Sequence, residues 1–514
     1  MKSLPIAIII SVFFISGCAH NLKTAAPNGD KGSDRIKSVD ISSYLKDRAA
    51  LLQEDSARSF YNDIALTEKE QKVNDYLSKL KGEMNVRYEQ RGFFPSAESF
   101  SRAKADLESS RLLEILKKMP KGGMLHTHAY AMGDMMWIVN EALRQQNCFV
   151  YWYEDGEKYI KGELGFFTPG TEPAGFVLVS DIKEAEPFFD HKLFGLLTLD
   201  EGDLKSLDIR DEYEKCLQRI EGFLSYSPVF KDYCQDAFNN MINDNVMYAE
   251  IRLLIREQYD LQGNTYSIED VVSFLSQLRS DIKVIDPDFD YKIILSDSRL
   301  NDAAAIKSSL ATAFSLRKKF PDFVIGYDIE GEEEAGYDNL FYVDALLDTK
   351  ELEDKYGVDM PYYFHSGESL SSENKNLYDA YLLRSKRLGQ AFNLYLFPKL
   401  LERFKEEKTA VEINLISSQI LGYVDDLSLH PARGYSNRGV ECVLSSDSMA
   451  IFAYNGLSFD YWEAFMAWDL DLRALKKFAK NSIEYSAMNS AEKSEAMNNW
   501  QLSWDSFIDA IKTD

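Results

Sequence analysis

The sequence predicts an α/β chain built on a (β/α)8 TIM-type barrel, with a helical arm before the first strand and an insertion after it. Three observations carry this. Eight short apolar runs alternate with stretches long enough for helices. Several runs end in polar, ligand-type residues, and a (β/α)8 barrel keeps its functional groups at the C-terminal ends of its strands. The 514-residue length suits one large domain with additions.

Taken in order, Lys2 precedes an apolar run through Ile8, Ile9, Ile10, Val12, Phe13 and Phe14, followed by Ile15-Ser16-Gly17-Cys18. This is the layout of an export signal, shorter than the roughly 20 apolar residues of a spanning helix. Ile-Ser-Gly-Cys resembles a bacterial lipobox, so residues 1–18 are expected to be a lipoprotein signal with Cys18 as the lipidated residue. Ala19 points to the outer membrane, facing periplasm or cell surface, with the lipid as the only membrane contact. Residues 19–40, with Pro27, Gly29 and Gly32, read as a linker. Residues 41–100 read as the helical arm, with Val73, Tyr76, Leu77 and Leu80 on one face, and offer a homodimer contact. An amphipathic helix is expected over Ser101–Lys118, ended by Pro120.

The barrel, within 101–514, takes its strands from Gly123–His128, Val246–Leu253, Tyr291–Leu295, Phe323–Ile329, Tyr362–Ser366, Arg387–Gly389, Val411–Leu415 and Val440–Ser446. Helices are expected at Ile268–Ile282, Ala303–Lys318 and Leu377–Leu383 between them. Residues 147–210, with Tyr151-Trp152-Tyr153, Phe166-Phe167 and scattered Gly and Pro, break the repeat and read as an inserted subdomain with short strands.

A formal net charge of −25 repels phosphate backbones and argues against a nucleic-acid partner. Beyond Cys18, the cysteines Cys148, Cys216, Cys234 and Cys442 form no Cys-x-x-Cys pair, which leaves buried thiols or a Cys148–Cys216 bridge. The histidines are more telling. Of His20, His126, His128, His191, His365 and His430, three lie at the ends of two strands. Residues i and i+2 of a strand share a face, so His126 and His128 aim together at the barrel mouth. His365 is followed by Glu368, and the last strand ends in Asp447. Three imidazoles and a carboxylate suit zinc, which in catalytic sites keeps a position open for water. Glu368 is then free to move protons. His430 reads as structural, while His20 and His191 fall in the linker and the insertion. The pattern is that of a metal-assisted hydrolase.

Met119-Pro120-Lys121-Gly122-Gly123-Met124-Leu125-His126-Thr127-His128, Phe364-His365-Ser366-Gly367-Glu368, Ile416-Ser417-Ser418-Gln419 and Ser445-Ser446-Asp447 resemble the adenosine deaminase family, nearest its secreted growth-factor branch. The resemblance implies one Zn2+ on His126, His128, His365 and Asp447. It makes Glu368 the group that protonates the purine ring as hydroxide attacks C6, turning adenosine or 2′-deoxyadenosine into inosine and ammonia. Gly331 lies where the family backbone touches the purine. In that branch a helical arm mediates dimerisation, which matches the position of residues 41–100.

Four positions depart from the family pattern. Gln390 stands where the family has a catalytic histidine, and Ser448 where it has a second aspartate. Ala129 replaces an aspartate that contacts the ribose, and Ser298 replaces a substrate-binding histidine. Losing one positioned acid–base group costs about 10²–10⁴-fold in rate. The expectation is therefore a zinc aminohydrolase with impaired or altered activity. The alternatives are a zinc hydrolase with another substrate, or a non-catalytic homologue that binds a nucleoside or a protein.

Overall fold

The computed structural model describes residues 40–199 and 209–513. Cys18, the expected export signal and nearly all of the expected linker lie outside these residues. The described residues fall into two units, divided between Asp55 and Ser56. In the first, the helix Ile41–Ser56 buries none of its residues, and Ile41, Tyr44, Leu45, Leu51 and Leu52 are exposed.

The expected arm, 41–100, is divided between these units. Its second helix, Glu68–Arg91, starts at a capping box made by Thr67 and Glu70 and ends at Gly92 in the left-handed region. Val73, Leu77, Met84 and Tyr88 of this helix are buried in the core of the second unit. Glu70 ties it down further, accepting from Lys476 Nζ at 2.5 Å and Trp504 Nε1 at 2.7 Å. The single helix expected over Ser101–Lys118 is two, Phe100–Glu108 and Arg111–Lys118. Ser110 causes the break: its hydroxyl caps the second helix through Leu113 N at 3.1 Å and accepts from Trp462 Nε1 at 2.9 Å.

Eight parallel strands form the barrel. They are β1 (Gly122–His128), β2 (Val246–Leu254), β3 (Asp290–Ser298), β4 (Val324–Glu330), β5 (His365–Ser366), β6 (Arg387–Gln390), β7 (Ala410–Ile413) and β8 (Cys442–Leu444). The ladders run β1-β2-β3-β4 and β5-β6-β7-β8. Two parallel bridges join these halves, Tyr327 to Tyr362 and Thr127 to Asp447. At the second, Asp447 N donates to His126 O at 3.1 Å and Thr127 Oγ1 donates to Asp447 O at 2.8 Å. The fifth and eighth strands are shorter than their apolar runs. Tyr363 instead bonds across to Tyr327, and the chain turns at Asp447. Likewise Leu415 belongs to a helix, Leu415–Ile420, and not to the seventh strand.

Within 147–210, Cys148–Tyr151 pairs antiparallel with Leu164–Phe166 on one side and Phe176–Leu178 on the other. The helices Val179–Ala185 and Phe189–Leu197 follow, and Ile209–Leu224 leads back to the barrel. Arg219 binds that last helix to the insertion through Lys161 O (2.8 Å) and Leu196 O (2.6 Å). Cys148, Cys216, Cys234 and Cys442 are all buried, and Cys148 is a free thiol, so the alternative Cys148–Cys216 bridge is not formed. Among the described residues no helix is long and apolar enough to cross a membrane.

The helix Ser458–Ala467 carries a buried acid, Glu463, which accepts from Ser96 Oγ at 2.6 Å. Burial pushes its carboxyl from 4.5 up to about 7, against the pull of that hydrogen bond. The folded chain therefore keeps a proton that the unfolded chain releases, and stability falls as pH rises between those values. Glu463→Gln removes the effect, so its melting-temperature gain over the natural chain should be small near about pH 5 and largest near about pH 8, where the term reaches about 3 kcal/mol. A gain independent of pH would show that Glu463 ionises normally.

Candidate metal centre and active site

Strand ends deliver the cluster. His126 and His128 close β1, His365 opens β5, and Asp447 follows β8. One ring nitrogen from each histidine lies within 4.8 Å of those of the other two. Asp447 Oδ1 is 3.2 Å from His128 Nε2 and 3.7 Å from His126 Nε2. Gly389, in β6, makes room for this packing: a Cβ there would stand 3.1 Å from His126 Cε1 and 3.2 Å from His365 Cα.

Each imidazole is held from behind by a carboxylate. His126 Nδ1 meets Glu412 Oε2 at 2.7 Å, His365 Nδ1 meets Asp328 Oδ2 at 2.7 Å, and His128 Nδ1 meets Glu330 Oε2 at 3.1 Å. Outer carboxylates of this kind orient metal-ligating histidines, fixing Nδ1 as the donor and leaving Nε2 as the ligand. His126 Nε2 is buried and has no hydrogen-bond partner. A buried ring nitrogen without a partner, facing two more imidazoles and a carboxylate, fits a divalent cation.

The electrostatics separate His126 from His128. Burial, with Arg252 and His365 adding to it, lowers the pKa of His126 to about 3, so it is a neutral ligand at any ordinary pH. Burial opposes the charged form of His128, yet Glu330 and Asp447 prevail and raise it to about 10. Burial also works against the Asp447 carboxylate, but His128, His126 and the Ser417 hydroxyl at 2.5 Å hold its pKa well below the ordinary range.

Below the histidines the barrel interior is ionic. Arg252 donates to Asp328 Oδ2 and to Glu412 Oε2, both at 2.7 Å. Arg387 donates to Glu412 Oε1 at 2.7 Å and pairs with Glu250. All five side chains are buried.

Glu368, also buried, sits at the rim. Its backbone N–H and that of Gly367 donate to the Glu333 carboxylate at 2.6 and 3.0 Å. Its own carboxylate forms an ion pair with Arg210 Nη2 at 2.9 Å, and the Arg210 guanidinium lies 5.1 Å over the Tyr423 ring. The positions expected to depart from the family pattern fall beside the cluster. Gln390 Nε2 donates to Asp447 Oδ2 at 2.9 Å, and Ser448 Oγ donates to Asp447 Oδ1 at 3.3 Å. Asp447, Gln390 and Ala391 all hold positive φ (58°, 67° and 44°), a conformation that non-glycine residues adopt at a cost and that clusters at functional sites. Ala129, Ser298 and Gly331 stand at the ends of β1, β3 and β4 on the same rim. Among the described residues none of the three hydrogen-bonds a member of the four-residue cluster. His430 is buried away from the cluster against Ser418 (3.2 Å), and His191 is exposed in the insertion.

Several residues here escaped the sequence reading. Asp328, Glu412 and Arg252 carried a usable signal, a charge within an apolar strand. Arg210 and Tyr213 carried none, since the helix Ile209–Leu224 has no motif tying it to strands distant in sequence. Glu412→Gln tests the supporting shell. Metal affinity by chelator competition should fall about 10–100-fold. The melting temperature should also drop, because Arg252 and Arg387 would share too little negative charge, a defect of about 3–5 kcal/mol when a buried partner is lost. Unchanged affinity and melting would remove Glu412 from the centre.

Comparison with known proteins accords with this site. The family model for adenosine deaminase matches residues 210–500. Adenosine deaminase 2 from Sus scrofa is 33% identical over 482 residues, covering 90% of this chain and 93% of that protein. Two solved structures share the fold at 14% identity. Arabidopsis ADAL complexed with IMP has a TM-score of 0.56 and covers 77% of this chain and 99% of its own. An amidohydrolase from Burkholderia ambifaria with bound Zn has a TM-score of 0.57 and covers 78% and 95%. The chain belongs to the adenosine deaminase family, hydrolases that act on C–N bonds.

Proposed function

We propose that this chain is a zinc-dependent aminohydrolase of a purine nucleoside of the adenosine type, releasing ammonia, with turnover reduced or redirected by Gln390 and Ser448. The observation that carries the reading is the convergence of His126, His128, His365 and Asp447 on one point, with each imidazole backed by a carboxylate. The bound Zn of one structural neighbour and the IMP of another favour zinc and a purine. Zinc bound there would act as a Lewis acid and bring the pKa of a water toward about 7.

The rest falls to side chains. Glu368 is the group that receives a proton and returns it to the purine ring, its backbone fixed by Glu333 and its carboxylate by Arg210. Substrate has to share Glu368 with that guanidinium. Gln390 can hydrogen-bond Asp447 but cannot carry the charge a histidine would, and Ser448 offers a hydroxyl where an aspartate would offer a base. Ala129, Ser298 and Gly331 are the positions facing the ribose and the purine in this reading. The changes at Ala129 and Ser298 fall together with those at Gln390 and Ser448, which favours a substrate other than adenosine itself as the second reading.

Zinc-loaded protein lacking residues 1–18, incubated with adenosine and 2′-deoxyadenosine, should lower absorbance as inosine forms, and Glu368→Ala should abolish the change. Turnover no greater than that of this variant would sink adenosine as substrate. Gln390→His with Ser448→Asp should raise kcat by about 10²-fold or more; no gain would favour the second reading.

The basic start, the apolar run and Ile15-Ser16-Gly17-Cys18 support a further part of the proposal, that residues 1–18 are an export signal and Cys18 anchors the mature chain to a membrane by lipid. In cells fed labelled fatty acid, the natural chain should take up label and sediment with membranes. Cys18→Ala should do neither, and equal labelling of both would discard the anchor.

A further inference from the structure

The helix Ile209–Leu224 reaches the metal centre at two points one turn apart. Arg210 engages Glu368, and Tyr213 OH lies 2.7 Å from Ser448 Oγ. The direction of the second hydrogen bond can be worked out. An ionised carboxylate only accepts, so the single Ser448 proton goes to Asp447 Oδ1. The Tyr213 phenol must then be the donor to Ser448 Oγ. Burial raises the Tyr213 pKa well above its ordinary 10, which keeps that proton in place. Its ring stacks on Phe452 at 6.1 Å, so the hydroxyl is aimed by packing as well.

The chain Tyr213–Ser448–Asp447 thus passes through Ser448, where the family pattern carries a second aspartate, and ends on a member of the candidate ligand set. Serine alone is a rotor with three staggered positions and reaches Asp447 in only part of that range. A second hydrogen bond, from the Tyr213 phenol to Ser448 Oγ at 2.7 Å, restricts that freedom. We propose that Tyr213 is a positioning residue of this centre, holding the Ser448 hydroxyl on Asp447 and so standing in, from outside the barrel strands, for part of what the missing aspartate would do. The inference rests on reading the cluster as a hydrolytic metal centre.

A double-mutant cycle tests it. Tyr213→Phe removes one oxygen and keeps the ring. It should lower kcat about 10-fold with KM within about twofold, and weaken metal affinity about 10-fold in chelator competition. With Ser448→Asp present, Tyr213→Phe should change neither quantity by more than about twofold, because the carboxylate no longer needs an aimed hydroxyl. Equal losses with and without Ser448→Asp would make Tyr213 a mere packing residue and overturn the proposal, as would a Tyr213→Phe protein indistinguishable from the natural one. Should the natural protein turn over neither nucleoside, the reading as an adenosine-type aminohydrolase fails, while the metal-affinity cycle still decides the role of Tyr213.

Discussion

Everything at the mouth of this barrel depends on how Glu412 is shared. One oxygen serves Arg387, and the other serves both Arg252 and the Nδ1 of His126. A buried carboxylate is costly on its own, and two buried guanidinium groups are costlier still. Alternating Glu250, Arg387, Glu412, Arg252 and Asp328 through the interior lets each charge neutralise its neighbours, and the top of the stack emerges as two carboxylates aimed at His126 and His365. Buried ion pairs add little net stability compared with apolar packing of the same volume. Their value here is directional: they fix which ring nitrogen of His126 and of His365 faces inward.

The same arrangement explains what could be read from the chain and what could not. Strand ends are legible because barrel geometry converts chain position into spatial position, so a histidine at the end of an apolar run has one place to point. His126, His128, His365 and Asp447 were found that way. Alternating charge inside strands was visible at Arg252, Asp328 and Glu412, but a charged residue in a strand can face solvent or core, and only closure of the ring decides between them. The two-part helix over 100–118 depends on the Ser110 hydroxyl meeting Trp462, a partner far along the chain, which local periodicity cannot report.

Helix Ile209–Leu224 shows the limit most clearly. Its apolar positions Cys216, Ile220 and Phe223 mark an ordinary packed helix. What distinguishes it is where its first turn lands, and that is set by Arg219 bonding to the insertion and by the aromatic stack of Phe166 on Tyr226 at 4.1 Å. Among the described residues the insertion supplies no candidate ligand, yet it bears on the centre: it locates the helix that touches Glu368 and Ser448. Changes in the insertion and changes beside the metal ligands are consequently not independent.

The bridge between Thr127 and Asp447 is both the seam that closes the ring and the contact that brings the last ligand to the first two, across 320 residues. Contacts of such separation form late, after the loop entropy of the intervening chain has been overcome. A partly synthesised chain can present His126 and His128 but cannot complete the candidate set. The candidate ligand set is therefore complete only once the barrel has closed.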